Sequence, residues 1–255
     1  MSKIAFNHFF MKEFGQYVMF IQSLFVRRET FRTYYKLTLE ECILIGVKSI
    51  SLIALVSFFM GAVTTVQTAY NMVSPLIPRF VISQVVREMT LLELAPTIMA
   101  VIYAGKVGSS MASGLGTMRI TEQIDALEVM GINSSSYLVL PKVVASLMTY
   151  PLLVIIAAVS SLVGGYLVGT VTGVITPTEY IYGIRFDFND YSIVIALIKA
   201  FVFAFLISTI SSFKGYFTQG GALEVGIAST AAVTTSVIAV LLSDYFLVQI
   251  LLKNA

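Results

Sequence analysis

Long uncharged apolar runs limit this chain more than any motif does. Stretches such as SLIALVSFFMGAVTTV (51–66) and LLVIIAAVSSLVGGYLVGTV (152–171) contain no Asp, Glu, Lys or Arg. A helix needs roughly 20 such residues to cross a bilayer's hydrocarbon. With 57% hydrophobic and 12% charged residues and a mean hydropathy of +0.89, the chain is predicted to be an all-α polytopic membrane protein. Five transmembrane helices are expected, at roughly 43–70, 81–105, 143–171, 192–213 and 229–252.

Several chemistries are excluded early. The single cysteine, Cys42, has no partner for an internal disulfide, and the single histidine, His8, supplies no metal cluster. A net charge of +2 with no basic run interleaved with aromatics gives no footprint for nucleic acid. The first 40 residues show no short apolar core ending in a small-residue cleavage site, so no signal peptide is expected.

The N-terminal region, 1–40, reads differently from the membrane-spanning part expected over 41–255. Phe10, Phe14, Tyr17, Val18, Ile21, Leu24 and Phe25 recur at three- and four-residue spacing, with Lys12, Gln16, Ser23 and Arg27 between them. That period predicts an amphipathic helix. Its basic tail, Arg27, Arg28, Arg32 and Lys36, suits an interfacial position against anionic headgroups, and packing on the protein's own membrane domain suits the pattern equally.

With the N-terminus inside, Lys3, Lys12, Arg27, Arg28, Arg32, Lys36, Lys48, Lys106, Arg119, Lys142 and Lys214 fall toward the cytoplasm. Arg79, Arg87, Arg185 and Lys253 fall outside. The positive-inside bias thus places the N-terminus and the 106–142 loop in the cytoplasm, and the 172–191 loop and C-terminus on the other face.

Within the spans, Ser161, Gly165, Gly169 and Gly173 form a small-residue stripe that permits close helix approach, within one subunit or across a dimer seam. Two charges stand out. Glu93 sits in an otherwise uncharged run, and Lys199 is isolated between Asp190 and Lys214. At about 1.5 Å per residue they lie about 6 Å and about 10 Å below the outer ends of their runs, in the same leaflet. Charges at that depth face an interior, a cavity or each other. A buried ion pair and a polar lining for a substrate headgroup both fit. Pro96 breaks the helical hydrogen-bond ladder beside Glu93, and Asp244 is a third buried acid expected to serve polar neighbours.

The most charged loop segment is GTMRITEQIDALEVMGI (116–132). Thr121 is predicted as N-cap, Glu122 and Asp125 complement the first turn, and Gly131 suits the C′ position, giving a short helix over 122–130. Ile120, Ile124 and Leu127 gather on one side, and Glu122, Asp125 and Glu128 on the other. A solvated acidic face and a docking helix for a soluble partner both fit.

The phosphate-binding loop that would drive work by nucleotide hydrolysis is not matched. Around Gly105-Lys106 the phosphate-binding loop would need glycine at Ala100 and Ser or Thr at Val107. No Ser-His-Asp set suggests a hydrolase, since His8 is in the N-terminal helix. Energy is therefore expected from a partner or an ion gradient.

LELAPTIMAVIYAGKVGSSMASGLGTMRITEQIDALEVMGI (92–132) resembles the signature region of the MlaE permease family, membrane subunits of ABC lipid transporters that work with MCE-domain proteins. The likeness continues in SLIALVSFFMGAVTTVQ (51–67), LPKVVASLMTYPLL (140–153) and IKAFVFAFLISTISSFKGYFTQGGALEVGIASTAAV (198–233). The resemblance implies a homodimer in the bacterial inner membrane, each subunit having an interfacial helix and five spans. It implies two cytoplasmic ATPase subunits that bind the ATP, with no cofactor or catalytic site in this chain, and an MCE-domain protein on the outer side. The implied substrate is a phospholipid or similar lipid.

It places an ATPase-coupling helix at about 119–131, with Glu122, Gln123, Asp125, Ala126, Glu128 and Met130 as contacts. It also puts Glu93 and Lys199 in a lipid cavity, for whose apolar wall Val66, Gln67, Tyr70 and Met72 are candidates. The family's Arg-Glu-Leu-Gly-Pro reads Leu92-Glu93-Leu94-Ala95-Pro96 here, its Ala-Gly-Arg reads Ala104-Gly105-Lys106, and Gln219, Ile227 and Ala231 replace basic residues around the later Gly-Gly. A gradient-driven secondary transporter and a non-transporting membrane scaffold are the alternative classes.

Overall fold

The computed structural model describes residues 3–26, 30–72 and 77–252, without the side chains of 3–11, 31 and 252. Lys3, His8, Phe10, Arg27, Arg28 and Lys253, used in the sequence reading, lie outside the described residues or side chains.

Every regular element among the described residues is helical. In order they are α1 (Lys3–Ser23), α2 (Phe31–Cys42), α3 (Lys48–Asn71), α4 (Phe80–Met89), α5 (Met99–Tyr103), α6 (Ser109–Ile120), α7 (Gln123–Val129), α8 (Ser134–Val171), α9 (Pro177–Arg185), α10 (Tyr191–Tyr216) and α11 (Ala222–Leu252). Three π-helical pieces, Ile43–Val47, Thr90–Ile98 and Ala104–Gly108, join α2 to α3, α4 to α5 and α5 to α6.

Among the described residues, four helices are long and apolar enough to cross a membrane: Arg32–Asn71, Ser134–Val171, Tyr191–Tyr216 and Ala222–Leu251. The segment expected as the second span, 81–105, is not one of them. It is assembled from α4, a nine-residue π piece, α5 and the start of another π piece. Pro96 lies inside the first π piece. Its ring lacks an N–H and crowds the carbonyl four residues back, so a regular α-helical ladder cannot pass through it.

The long helices are apolar outside and polar or small inside. On α3 the buried residues are Ser49, Ile53, Ser57, Gly61, Ala62, Thr65 and Thr68, whereas Leu52, Leu55, Phe59 and Val63 are exposed. On α8, Met148, Leu152, Ile155 and Val159 are likewise exposed. Continuous exposed apolar faces of this length are untenable in water and natural in lipid.

The chain divides into two compact units, each built from three stretches. One comprises residues 1–45, 104–147 and 205–239, the other 46–103, 148–204 and 240–255. In the first, Phe20, Leu24, Leu115, Val139, Val143 and Phe213 form a buried cluster. The Phe20 and Phe213 rings meet edge to face at 5.7 Å, a favoured aromatic geometry. Gly215 seats against the Ala112 backbone, where a Cβ would collide.

Helix α1 belongs to this unit and has two apolar sides. Tyr17, Phe20 and Leu24 face inward, Tyr17 bonding Thr209 at 2.7 Å and Glu13 pairing with Lys214 at 2.6 Å. Phe14, Val18, Met19 and Phe25 remain exposed. Packing on the protein's own membrane domain is therefore real, and a second apolar stripe remains. The helix ends at Ser23; residues 31–40, grouped with it on sequence grounds, instead begin the first long helix.

In the second unit, the small-residue stripe of α8 receives α3. A Cβ on Gly61 would strike the Ser161 carbonyl, one on Gly164 the Phe58 carbonyl, and one on Gly165 the Thr65 and Tyr180 hydroxyls. Backbone contact this close is what small residues permit in lipid. The stripe serves packing within the subunit. Arg87, 1% exposed, donates to the carbonyls of Ile184 (2.7 Å), Phe186 (2.9 Å) and Asp187 (3.2 Å) and pairs with Glu88, fixing the chain that leaves α9.

Candidate functional site

Two assemblies hold the residues singled out by sequence. The first lies in the second unit, at the π piece containing Pro96. Lys199 Nζ on α10 is 2.9 Å from Glu93 Oε1 and 2.8 Å from Asp244 Oδ1 on α11. It also donates to the Leu92 carbonyl at 2.8 Å. In an α-helical ladder that carbonyl would face residue 96, which is proline; in the π geometry of this piece the ladder shifts by one residue, and the ammonium adds a side-chain donor to the carbonyl.

The Thr97 hydroxyl reaches Glu93 Oε2 at 3.1 Å and Asp244 Oδ1 at 3.2 Å, bridging the two acids. Tyr150, fully buried, donates to the Pro96 carbonyl at 2.6 Å and holds the π piece from another side.

Burial is unequal across the cluster. The Lys199 side chain is 1% exposed, Asp244 14% and Glu93 47%. A lysine buried this deeply is tolerable only when paired and hydrogen-bonded, and three oxygens surround this one. Glu93 is the member that faces outward. The expected Glu93–Lys199 pair forms, and Asp244 completes it; sequence reading had Asp244 beside polar neighbours without assigning it to Lys199.

Nearby in the same unit, a cavity of about 430 Å³ is lined by one face of α3 (Met60, Val63, Thr64, Gln67, Thr68, Asn71), by Met72, and by Val85, Met89 and Leu94. Of the four residues expected in an apolar cavity wall, Gln67 and Met72 line this cavity. Val66 and Tyr70 do not line this cavity; Tyr70 is 81% exposed. Positions 60, 63/64, 67/68 and 71 share a face, from which Val66 is turned away; Tyr70, seven residues after Val63, stands at the edge of that face but is not a lining residue. Glu93 and Lys199 are not lining residues either, although Leu94, adjacent to Glu93, is.

The second assembly surrounds α7. Its observed range, Gln123–Val129, is one residue shorter at each end than expected. Gly131 closes it with φ of +80°. Its N–H bonds the Glu128 carbonyl and the Ile132 N–H bonds the Leu127 carbonyl, both at 3.0 Å, the paired arrangement of a Schellman C-cap.

The N-terminus differs from expectation. Thr121 is not the N-cap; its hydroxyl turns back to the Thr117 carbonyl at 2.8 Å. Glu122 takes the cap position with φ of +60° and makes no side-chain cap bond. The physical reason is that α6 runs directly into α7, so the junction must reverse within one residue. A left-handed residue does this, at a cost of about 1–3 kcal/mol for a side chain with a Cβ.

Ile124 is fully buried and Ile120 and Leu127 partly so, while Glu122, Gln123, Asp125, Ala126, Glu128 and Met130 are all exposed. Arg119 pairs with Asp125 at 2.6 Å. Val129, 89% exposed, adds an apolar tip beside Met130 that the sequence reading did not single out. Its signal was available: a valine on the side of α7 away from Ile124.

No group of His, Cys, Asp and Glu that could hold a metal ion is found among the described residues.

Helices apolar outside, polar inside, with a paired lysine in their interior define a polytopic membrane protein. The family model described as Permease MlaE matches residues 38–250. A probable ABC transporter permease protein of Rickettsia bellii is 38% identical over 220 residues, covering 86% of this chain and 85% of that one. A probable ABC transporter permease protein of Synechocystis is 33% identical over 210 residues, covering 82% and 80%. The Arabidopsis thaliana chloroplast protein TRIGALACTOSYLDIACYLGLYCEROL 1 is 30% identical over 233 residues, 88% of this chain and 64% of that one. The chain belongs to the MlaE permease family. It is an ABC-transporter permease, a transport subunit rather than an enzyme, and that class implies an ATPase partner.

Proposed function

We propose that this permease moves phospholipid, or a similar lipid, between the bacterial inner membrane and the cell envelope, driven by a separate ATPase that docks on α7. The carrying observation is α7 itself: a short helix capped at its C-terminus, held by Ile124 on one side, with Glu122, Gln123, Asp125, Ala126, Glu128 and Met130 exposed on the other. An ABC permease needs such a handle because ATP is bound and hydrolysed in the partner; this chain takes no cofactor.

A lipid cargo is supported by two facts. One relative bears the name of a galactolipid, trigalactosyldiacylglycerol. The cavity beside α3 has an apolar wall with Gln67, Thr64 and Asn71 as its polar points, the composition expected of a site for an amphiphile. The outward acid Glu93, paired with Lys199, supplies charge for a headgroup near that wall.

In this reading the α4–α5 segment with its π pieces is the fifth span, and the subunit works as a homodimer. The N-terminus and α7 lie in the cytoplasm, the C-terminus in the periplasm, and α1 lies in the interface with its outer apolar stripe in lipid. An MCE-domain protein sits on the outer side. ATP-driven closure of the partner pushes α7, and the spans rearrange by alternating access.

The test is purification from native membranes with mass spectrometry of bound subunits and lipids. An ATPase and phospholipid held by the wild type, with the ATPase released by Glu122→Lys combined with Asp125→Lys, support the reading. Full transport by this protein alone in liposomes under a proton gradient would replace it with a gradient-driven carrier using Glu93.

A further inference from the structure

Glu128 is exposed on α7 but it is not idle. Its Oε1 lies 2.8 Å from the Ser134 hydroxyl and 3.0 Å from the Tyr216 hydroxyl, and those two hydroxyls are themselves 2.7 Å apart. Ser134 is the first residue of α8 and Tyr216 the last of α10. A single carboxylate oxygen therefore joins the end of α7 to two of the long helices at once.

Each hydroxyl has one proton. With the two hydroxyl oxygens 2.7 Å apart, one proton lies between them and the other goes to the carboxylate, so the three groups form one connected, charge-assisted hydrogen-bond set. The link is also short and stiff. Between Glu128 and Ser134 the chain is closed by the Gly131 cap, and Asn133 holds the start of α8. Its Oδ1 accepts from the Ser136 N–H at 3.3 Å, while its amide donates to the carbonyls of Ser23 (3.0 Å), the last residue of α1, and Val26 (2.5 Å) just beyond it. At the other end, Arg119–Asp125 ties α7 to α6. Ser134 is 2% exposed, so its hydroxyl needs this partner.

We infer that Glu128 is a positioning residue rather than a contact for the ATPase: it converts displacement of α7 into displacement of α8 and α10 together. The inference rests on the reading of α7 as the docking helix. Helix α10 is also the helix that carries Lys199, and α8 the one whose glycines receive α3, so the two helices taken up by Glu128 are those that bear the ion cluster and the main packing seam. Without the carboxylate, α7 could still bind the ATPase and move with it while the long helices lag.

The experiment uses the complete transporter reconstituted in liposomes, with three readouts: ATPase retained per permease, ATP hydrolysed, and fluorescent phospholipid transferred. Glu128→Leu is expected to keep the ATPase at wild-type stoichiometry while lipid transferred per ATP falls about tenfold, the effect of losing one charge-assisted bond of this kind. Tyr216→Phe is expected to lower the same ratio, and the double variant to be no worse than Glu128→Leu alone, because both remove one link. Glu128→Gln, which keeps an acceptor oxygen, should recover most of the ratio and guards against a folding defect in the leucine variant.

Release of the ATPase by Glu128→Leu would make Glu128 a docking contact and overturn the inference. So would additive losses in the double variant, or an unchanged ratio. If the wild type itself retains no ATPase, the docking reading fails first and this inference with it.

Discussion

Lys199 donates to the main-chain carbonyl of Leu92 at 2.8 Å, four residues before Pro96. The lysine that reaches this carbonyl also meets Glu93 and Asp244. One side chain thereby ties the proline-containing π piece to α10 and pairs with two acids. Residues 90–98 are held in π geometry by chemistry from α10 and α11.

Lys199→Met removes the cation and leaves two acids and a carbonyl behind. Leaving a fully buried charge unpaired costs about 3–5 kcal/mol; here the acids left behind are partly exposed, Glu93 to 47%, so the loss is smaller, and detergent-purified protein should lose its monodisperse peak at lower temperature than wild type. Combining it with Glu93→Gln and Asp244→Asn should restore much of the loss, because no unpaired charge is then buried. A triple variant as unstable as the single one would refute the pairing as the source of the defect.

How much of this was legible beforehand differs by element. Glu93 and Lys199 stood out because charge in an apolar run is costly, and that cost is local to the sequence. Their meeting with Asp244 was not legible, since it depends on how α10 and α11 rotate about their axes. The Gly131 cap was legible because only a residue tolerant of positive φ closes a helix there. The Thr121 cap failed because α6 continues to Ile120, leaving Glu122 to make the reversal. That Val66 and Tyr70 fall outside the cavity beside α3 was not legible: a long apolar helix in lipid shows little polarity contrast, so its inward face cannot be read from periodicity. In α1, Phe20 was missed as the buried anchor for a related reason, both faces being apolar.

Gly61→Ala provides a test of packing. A Cβ there collides with the Ser161 backbone carbonyl, whereas at Gly114 it meets nothing within 4 Å. Gly61→Ala should cost about 1–3 kcal/mol as overpacking against an unyielding backbone, and Gly114→Ala should be neutral or slightly stabilising as a helix substitution. Thermal shift in detergent compares them directly, and equal melting temperatures would disprove the α3–α8 contact.

Helix α9 carries a pH-dependent cap. The Thr176 hydroxyl and N–H beside Glu179 hold its carboxyl below the usual carboxylate range, and the two residues form a reciprocal capping box. A depressed folded-state value means the cap contributes above the unfolded carboxylate's titration range and is lost as pH falls through the folded value. Hydrogen exchange at the start of α9, corrected for intrinsic rates, should rise on acidification in the wild type and stay flat in Glu179→Gln. A flat wild-type profile would show the cap contributes nothing.

Gln67 lines the cavity beside α3, whereas Tyr70, about one turn further along, is exposed and does not. Filling the wall with Gln67→Trp places a large ring in a space of about 430 Å³, and in a lipid permease it should lower both copurified phospholipid and transport severalfold. Tyr70→Ala removes a larger side chain, but one that stands outside the cavity, so both should stay near wild type. Mass spectrometry of bound lipid with a vesicle transfer assay reads the contrast. The reverse pattern, with Tyr70→Ala the damaging change, would move the lipid path to the outer face of α3 and leave this cavity as packing.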